Sequence, residues 1–163
     1  MSRLDLFIDR MVSQRACLNA AVSATEHLSG PAYELGLGNG RTFHHMREIV
    51  QARQVYVFER AVASHPDSTP EEDQLFLGDV FETLPQALAQ FGATASLIHA
   101  DLGGHNAAKN DLFAKRISPV VEPLLAVGGL MVASDRMYFD KLEEQELPPG
   151  AVQGRCFIYK RVE

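Results

Sequence analysis

The sequence predicts an α/β fold, a doubly wound and mostly parallel sheet of about six or seven strands with helices on both faces. Two observations carry this. Short β-branched or aromatic runs alternate with longer stretches of helical periodicity. Glycines or acids also stand where the runs stop, at Gly36 to Gly40, Glu59, Asp79, Asp101 and Asp135. In such a sheet these stops share the rim at the carboxyl ends of the strands, where ligands bind. A length of 163 residues suits one domain around one core.

From Leu4, residues Phe7, Ile8, Met11, Leu18 and Val22 recur near helical spacing, and Ser29-Gly30-Pro31 stops that helix. Ala32 to Leu35 forms a short strand, Gly36 to Gly40 a turn, and Phe43, Met46, Ile49 and Val50 the buried stripe of a helix. Val55 to Phe58 is too β-branched and aromatic for anything but a strand. Pro66 and Pro70 among acids predict a surface segment with at most one helical turn. Leu75 to Leu77 is the third strand. Thr83 is the expected N-cap of the next helix, with Pro85 in its first turn and Gly92 as its stop. Ala95 to Ala100 is the fourth strand, followed by Leu102-Gly103-Gly104, a loop flexible by composition. Helices are expected from about Ala107 to Ile117 and again from Pro119, with Ser118 as N-cap. Gly128-Gly129 turns the chain into a strand from Leu130 to Ser134. Pro148-Pro149-Gly150 makes a turn, and Cys156 to Val162 a final strand.

Composition narrows the function. Fifteen Lys and Arg against 21 Asp and Glu leave a net charge of −6, so no global field draws the chain to nucleic acid or anionic lipid. No apolar run reaches the roughly 18 to 20 residues of a membrane-spanning helix. Asp5 and Asp9 interrupt any signal core, so the expected location is cytoplasmic. Cys17 and Cys156 have no metal-ligand spacing and are expected as reduced core residues.

The densest signal is Tyr33-Glu34-Leu35-Gly36-Leu37-Gly38-Asn39-Gly40, an acid two residues before a Gly-x-Gly-x-Gly turn. Such a turn lets backbone approach a ligand, and the helix after it offers unpaired N–H groups. The dinucleotide fingerprint needs its third glycine where Arg41 stands, which argues against NAD. Glu59, at the end of the second strand, suits both hydroxyls of a ribose. Gly78-Asp79-Val80 sets an acceptor beside an apolar contact, a pairing for an adenine amino group. Taken singly, Glu59 also reads as a solvated strand end, Asp79 as a helix cap and Asp101 as a loop acid. Adjacent His44 and His45 point about 100° apart, poor geometry for chelation, and are expected to be exposed or bonded to partners. His99 is expected to pack within its strand.

From Ala32 to Asp135, and more weakly at the tail, the sequence resembles the class I S-adenosylmethionine-dependent methyltransferases. The resemblance implies a Rossmann-like sheet with an antiparallel C-terminal strand, and a single domain over residues 1–163. Within it, 1–30 would be an N-terminal helix, 31–135 the cofactor-binding core and 136–163 the C-terminal strand region. The implied cofactor is S-adenosyl-L-methionine. Gly36, Gly38, Asn39 and Gly40 would line its methionine part and Glu34 would help hold the ammonium. Glu59 would bind the ribose, and Gly78, Asp79 and Val80 the adenine. Asp101 would lie beside the methyl-transfer centre. Asp101 and Asp135 end neighbouring strands as do the divalent-metal carboxylates of small-molecule O-methyltransferases of this fold. Arg136, however, replaces the Asn of that pattern and opposes a cation, so no metal is expected.

Methyl transfer from a sulfonium is an in-line displacement, so the protein chiefly aligns donor and acceptor and excludes water. A base is needed only where the acceptor must lose a proton. Asp101 and His105, flanking Gly103-Gly104, are the candidates. With no domain inserted between strands, a small-molecule acceptor is favoured. The N-terminal helix must bury its stripe over the rim as a lid or against a second chain in a homodimer. The alternatives are a module that binds S-adenosylmethionine without turnover and an NAD-dependent oxidoreductase.

Overall fold

The computed structural model describes residues 1–163. Helix α1 (Arg3–Ala24) is followed by β1 (Ala32–Leu35), α2 (Arg41–Ile49), β2 (Val55–Glu59), β3 (Leu75–Leu77), α3 (Val80–Phe91) and β4 (Ala95–Ala100). Helix α4 (Ala107–Val121), β5 (Leu125–Ala133), β6 (Leu142–Glu144) and β7 (Phe157–Arg161) complete the chain. The strands form one sheet in the order β3-β2-β1-β4-β5-β7-β6. Strands β1 to β5 pair in parallel, and β7 runs antiparallel to both of its neighbours. The chain reverses direction in the strand order between β1 and β4, and this places the glycine turn beside Asp101.

Alternation along each strand divides the core in two. Tyr33, Leu35, Phe58, Ile98 and Met131 face α3 and α4, packing with Leu84, Ala87, Ile117 and Val121. Ala32, Val57, Leu97 and Val132 face α1 and α2, packing with Cys17, Leu18, Phe43 and Met46. All of β1 is buried, as a strand covered on both faces requires. No helix is long and apolar enough to cross a membrane.

Several elements differ from their sequence expectations. Helix α3 starts one turn earlier than Thr83, because Asp79 caps it through the Phe81 N–H at 2.9 Å. Thr83 is instead buried, its hydroxyl donating to the Asp79 carbonyl, and Pro85 lies inside the helix. Helix α4 runs through Pro119 as one helix, with Ser118 as an interior residue whose hydroxyl donates to the Ala114 carbonyl. Proline removes one backbone donor near the end of that helix, which is too little to stop it. Strand β5 begins at Leu125, before Gly128-Gly129, with an irregular register against β4 between Ala95 and Leu97. The acidic segment contains two short 3-10 turns, 66–68 and 72–74. Strand β6 carries no sequence signal, since Leu142-Glu143-Glu144 is short and charged, and it forms only by pairing with β7 at the sheet edge.

Helix α1 departs from its expected stripe. Its buried residues are Ser13, Gln14, Cys17, Leu18, Ala21 and Val22. Leu4, Phe7 and Ile8 are exposed. The C-terminal half therefore belongs to the core and only the N-terminal half overhangs the rim. Deleting the helix would open the α1-α2 face of the sheet.

Just beyond α1, Gly30 packs so tightly that a Cβ would sit 1.7 Å from the Thr94 carbonyl oxygen. Gly30→Ala should destabilise the fold by about 1 to 3 kcal/mol, the usual cost of overpacking. Denaturant titration against the wild type checks it, and an unchanged midpoint would contradict this packing.

Candidate active site

The turn after β1 needs glycine for reasons visible in its contacts. Gly36 has φ 85° and a Cβ there would meet the Asp101 carbonyl oxygen at 2.8 Å. Gly40 has φ 87°, with the Ser68 carbonyl oxygen 2.5 Å from where its Cβ would be. Both conformations lie in the left-handed region that glycine alone adopts freely. Gly40 is also the N-cap of α2 and provides no side-chain cap. The first N–H groups of that helix and the positive end of its dipole are left to face a ligand.

Glu59 ties this turn to the next strand. Its Oε2 accepts from the N–H groups of Leu37 at 2.7 Å and Gly38 at 3.3 Å, and its Oε1 from Arg60 at 2.7 Å and Ala61 at 3.3 Å. Partial burial disfavours the charged carboxylate, but these donors outweigh it and hold the pKa below the ordinary glutamate value. Glu59 is thus a fixed anion against the glycine turn.

Asp101, after β4, is gripped from above by α1. Its Oδ2 accepts from the Arg10 guanidinium and from Gln14 Nε2 at 3.1 Å, and Gln14 Nε2 also donates to Ser134 Oγ at 3.1 Å. Phe7, Arg10, Met11 and Gln14 roof a cavity of about 170 Å³ whose floor is Gly36 to Thr42 and Asp101. Arg10, Gln14 and Thr42 were not singled out from the sequence. The only available signal was Gln14, a polar residue at a helix position that proves to be buried. A larger cleft of about 610 Å³ lies between the C-terminal halves of α1 and α2. It sits at the amino ends of the strands, on the side opposite the rim.

Beneath the turn, Glu34 is wholly buried and bonded to His99, with 2.7 Å between Oε1 and Nδ1. Glu34 Oε2 and His99 Nε2 have no hydrogen-bond partner within the protein. Burial pushes the Glu34 pKa up, and His99 only partly opposes it. For His99, burial alone would lower the pKa, but the charge of Glu34 and its hydrogen bond prevail and raise it. His99 is packed as expected, though with an acid as its neighbour.

The remaining expectations sort by place. Asp79, Glu59, the glycine turn and Asp101 follow one another along the rim in the strand order. Asp79 is a helix cap through Oδ1, and Val80 is 7% exposed within the core beside it. Gly78 donates its N–H to the Glu59 carbonyl at 2.9 Å. His105 is not brought to the Asp101 cavity. It lines a separate cleft with Asn110, Asp111, Asp135 and Arg136. The Gly103-Gly104 turn is pinned rather than free, since Asn110 bonds both the N–H and the carbonyl of Gly104 at 2.9 and 3.0 Å. His44 bonds Ser68 at 3.2 Å and His45 bonds Asn19 at 2.7 Å. Arg136 pairs with Glu144 at 3.5 Å.

The strand order, the single reversed strand and the acid-glycine turn after β1 define a Rossmann-like fold of the class found in S-adenosylmethionine-dependent methyltransferases. The chain belongs to the S-adenosyl-L-methionine methyltransferase family, whose model matches residues 1–161, and its cofactor is accordingly S-adenosyl-L-methionine. It is similar to the crystal structure of an S-adenosyl-L-methionine methyl transferase from Silicibacter pomeroyi DSS-3, with 74% identity, 99% of each chain covered and a TM-score of 0.97. Human methyltransferase-like protein 13, solved with SAH, shares the fold at 11% identity and a TM-score of 0.58, over 95% of this chain and 82% of that one. The release-factor-specific protein-(glutamine-N5) methyltransferase of Alicyclobacillus acidocaldarius does so at 9% identity and 0.51, over 91% of each chain. No curated protein matches the chain in sequence. The family excludes the NAD-dependent reading.

The Glu34-His99 pair has a consequence for stability. The charge and hydrogen bond of Glu34 raise the His99 pKa, so the folded pair holds a proton that an unfolded histidine releases. The contribution is complete below the unfolded value and is lost as pH rises through the folded one. Thermal melts should show stability declining above about pH 6.5, the unfolded histidine value. In His99→Gln the decline should begin lower, above about pH 4.3, the unfolded glutamate value, because the buried Glu34 must then ionise without a cationic partner. A pH profile unchanged in that variant would place its origin elsewhere.

Proposed function

We propose that this methyltransferase acts on a small-molecule acceptor, with the cofactor's methionine end against the glycine turn and the acceptor entering beside Asp101 under the N-terminal half of α1. The observation that carries this is the roof. Phe7, Arg10, Met11 and Gln14 overhang the cavity at the turn, a space of about 170 Å³ whose size suits a small acceptor.

The residues present fit S-adenosyl-L-methionine. The uncapped start of α2 and the N–H groups of the turn suit a carboxylate. Glu34, buried behind the cavity wall, lends a negative charge that favours an ammonium there. Gly36, Gly38, Asn39 and Gly40 line the methionine part. Glu59 accepts from the ribose, and Gly78, Asp79 and Val80 border the adenine. When bound, the cofactor supplies an electrophilic methyl group on a sulfonium sulfur. The protein's own work is to align the acceptor for in-line attack and keep water out, since the leaving group departs uncharged. In this reading Asp101, fixed by Arg10 and Gln14, orients the acceptor. His105 takes a proton from acceptors that must lose one, which requires the acceptor to extend toward the cleft at Asp135. Residues 1–163 act together as one domain, because α1 contributes to both the core and the roof.

Incubation of the protein with methyl-labelled donor and panels of small molecules, RNA and protein, following S-adenosylhomocysteine release, tests the acceptor class. Turnover with members of the small-molecule panel alone is expected. Turnover confined to RNA or protein would overturn the acceptor assignment. Glu59→Ala should weaken S-adenosylhomocysteine binding by about 1.5 to 3 kcal/mol, the worth of a hydrogen bond to a charged group. Calorimetry on a variant shown to be folded checks it, and an unchanged dissociation constant would remove Glu59 from the site.

A further inference from the structure

His99 has no role in the chemistry above, yet it is the one cationic group bonded to the most deeply buried carboxylate in the chain. Parallel pairing sets Glu34 of β1 directly opposite His99 of β4. Both side chains are 0% exposed, and the 2.7 Å between them lies in the range of charge-assisted hydrogen bonds. A dry carboxylate stays charged only if a partner supplies a positive charge, and otherwise it takes up a proton.

The pair lies immediately behind the cavity wall. Glu34 is two residues before Gly36, and the Thr42 hydroxyl lies beside its carboxylate. Thr42 lines the cavity together with the turn and Asp101. The other charged or titratable groups facing the pair are Arg10 and Cys17 of α1, Asp101 beyond β4, and Cys156, which contacts Cys17 ahead of β7. Arg10 and Asp101 neutralise each other, and both thiols are buried. Glu34 is thus the one anion beneath the turn with no compensating cation except His99. In a low-dielectric interior its charge acts on the cavity with little screening.

We propose that His99 is a positioning residue for cofactor binding: donating to Glu34 from within the sheet, it keeps that carboxylate ionised behind the glycine turn, and so sets the site's preference for a nucleoside ligand that also carries an ammonium group. This rests on the reading of the cavity as the methionine end of the cofactor site.

The test compares S-adenosylhomocysteine with methylthioadenosine, which has the same nucleoside without the amino-acid end. Calorimetry on the wild type, His99→Gln and Glu34→Gln across the neutral range separates the contributions. His99→Gln should weaken S-adenosylhomocysteine binding about tenfold near pH 6.5, the scale of one charged hydrogen bond, and recover as rising pH ionises Glu34 unaided. Glu34→Gln should show the same loss at every pH. Methylthioadenosine binding should change in neither. Equal losses for both ligands would reveal a merely structural role and overturn the proposal, as would unchanged binding in His99→Gln. Nitrogen NMR of the wild type gives an answer that does not depend on either variant folding. The His99 ring should be doubly protonated at neutral pH and shift with S-adenosylhomocysteine but not with methylthioadenosine, whereas a neutral ring overturns the proposal. A wild type that binds neither ligand would overturn the cofactor reading of the cavity, a result distinct from binding with the wrong ligand or pH pattern.

Discussion

Parallel pairing of β1 with β4 is the constraint from which the rest of the molecule follows. These strands are neighbours in space although β2, β3 and two helices separate them in the chain. Their register aligns Glu34 with His99 and Leu35 with Ala100. It also lets the Leu35 carbonyl accept the Asp101 N–H at 3.1 Å. The glycine turn and Asp101 then leave the sheet side by side. Slipping the register by one residue would move the buried acid and its histidine to opposite faces, and the turn would no longer fit against the Asp101 backbone.

The same pairing explains why α1 matters to the site. The strand face that carries Glu34 and His99 cannot be left to solvent. Cys17, Leu18, Ala21 and Val22 cover the apolar part of it together with α2. Where the face turns polar near the strand ends, α1 turns polar with it. Gln14 bridges Asp101 and Ser134, Ser13 accepts the Val152 N–H at 2.9 Å, and Arg10 reaches Asp101. The helix is therefore anchored by burial in one half and by directed polar contacts in the other. This allows the half over the cavity to keep exposed apolar residues at Leu4, Phe7 and Ile8.

Two buried or half-buried carboxylates bracket the turn and are held by different means. Glu59 is satisfied by backbone N–H groups, donors that carry no net charge and cannot titrate. Glu34 relies on an imidazole, which can. The rim order, running from Asp79 through Glu59 and the turn to Asp101, sets these groups on adjacent strands.

Much of this was legible in local sequence. β1 begins and ends where the Ala32 to Leu35 run does, and β2 runs from Val55 one residue past its apolar run, to Glu59, because burial on both faces leaves an unbroken hydrophobic signature. The glycine turn and the acids at strand ends were legible for the same local reason: backbone conformation and residue type are written within a few positions. Thr83 misled because capping depends on which side chain reaches a free N–H, and Asp79 reached it first. Strand β6 had no pattern of its own and exists through β7. The union of Glu34 with His99, the grip of Arg10 and Gln14 on Asp101, and the separation of His105 from that cavity are contacts across 65, 87 and 91 positions of chain or between different clefts. The sequence alone determined strands β1 to β4, the glycine turn and the class of cofactor. Only the tertiary structure decided which polar groups share a buried space, because that follows from strand order and helix packing and not from any local preference of the residues.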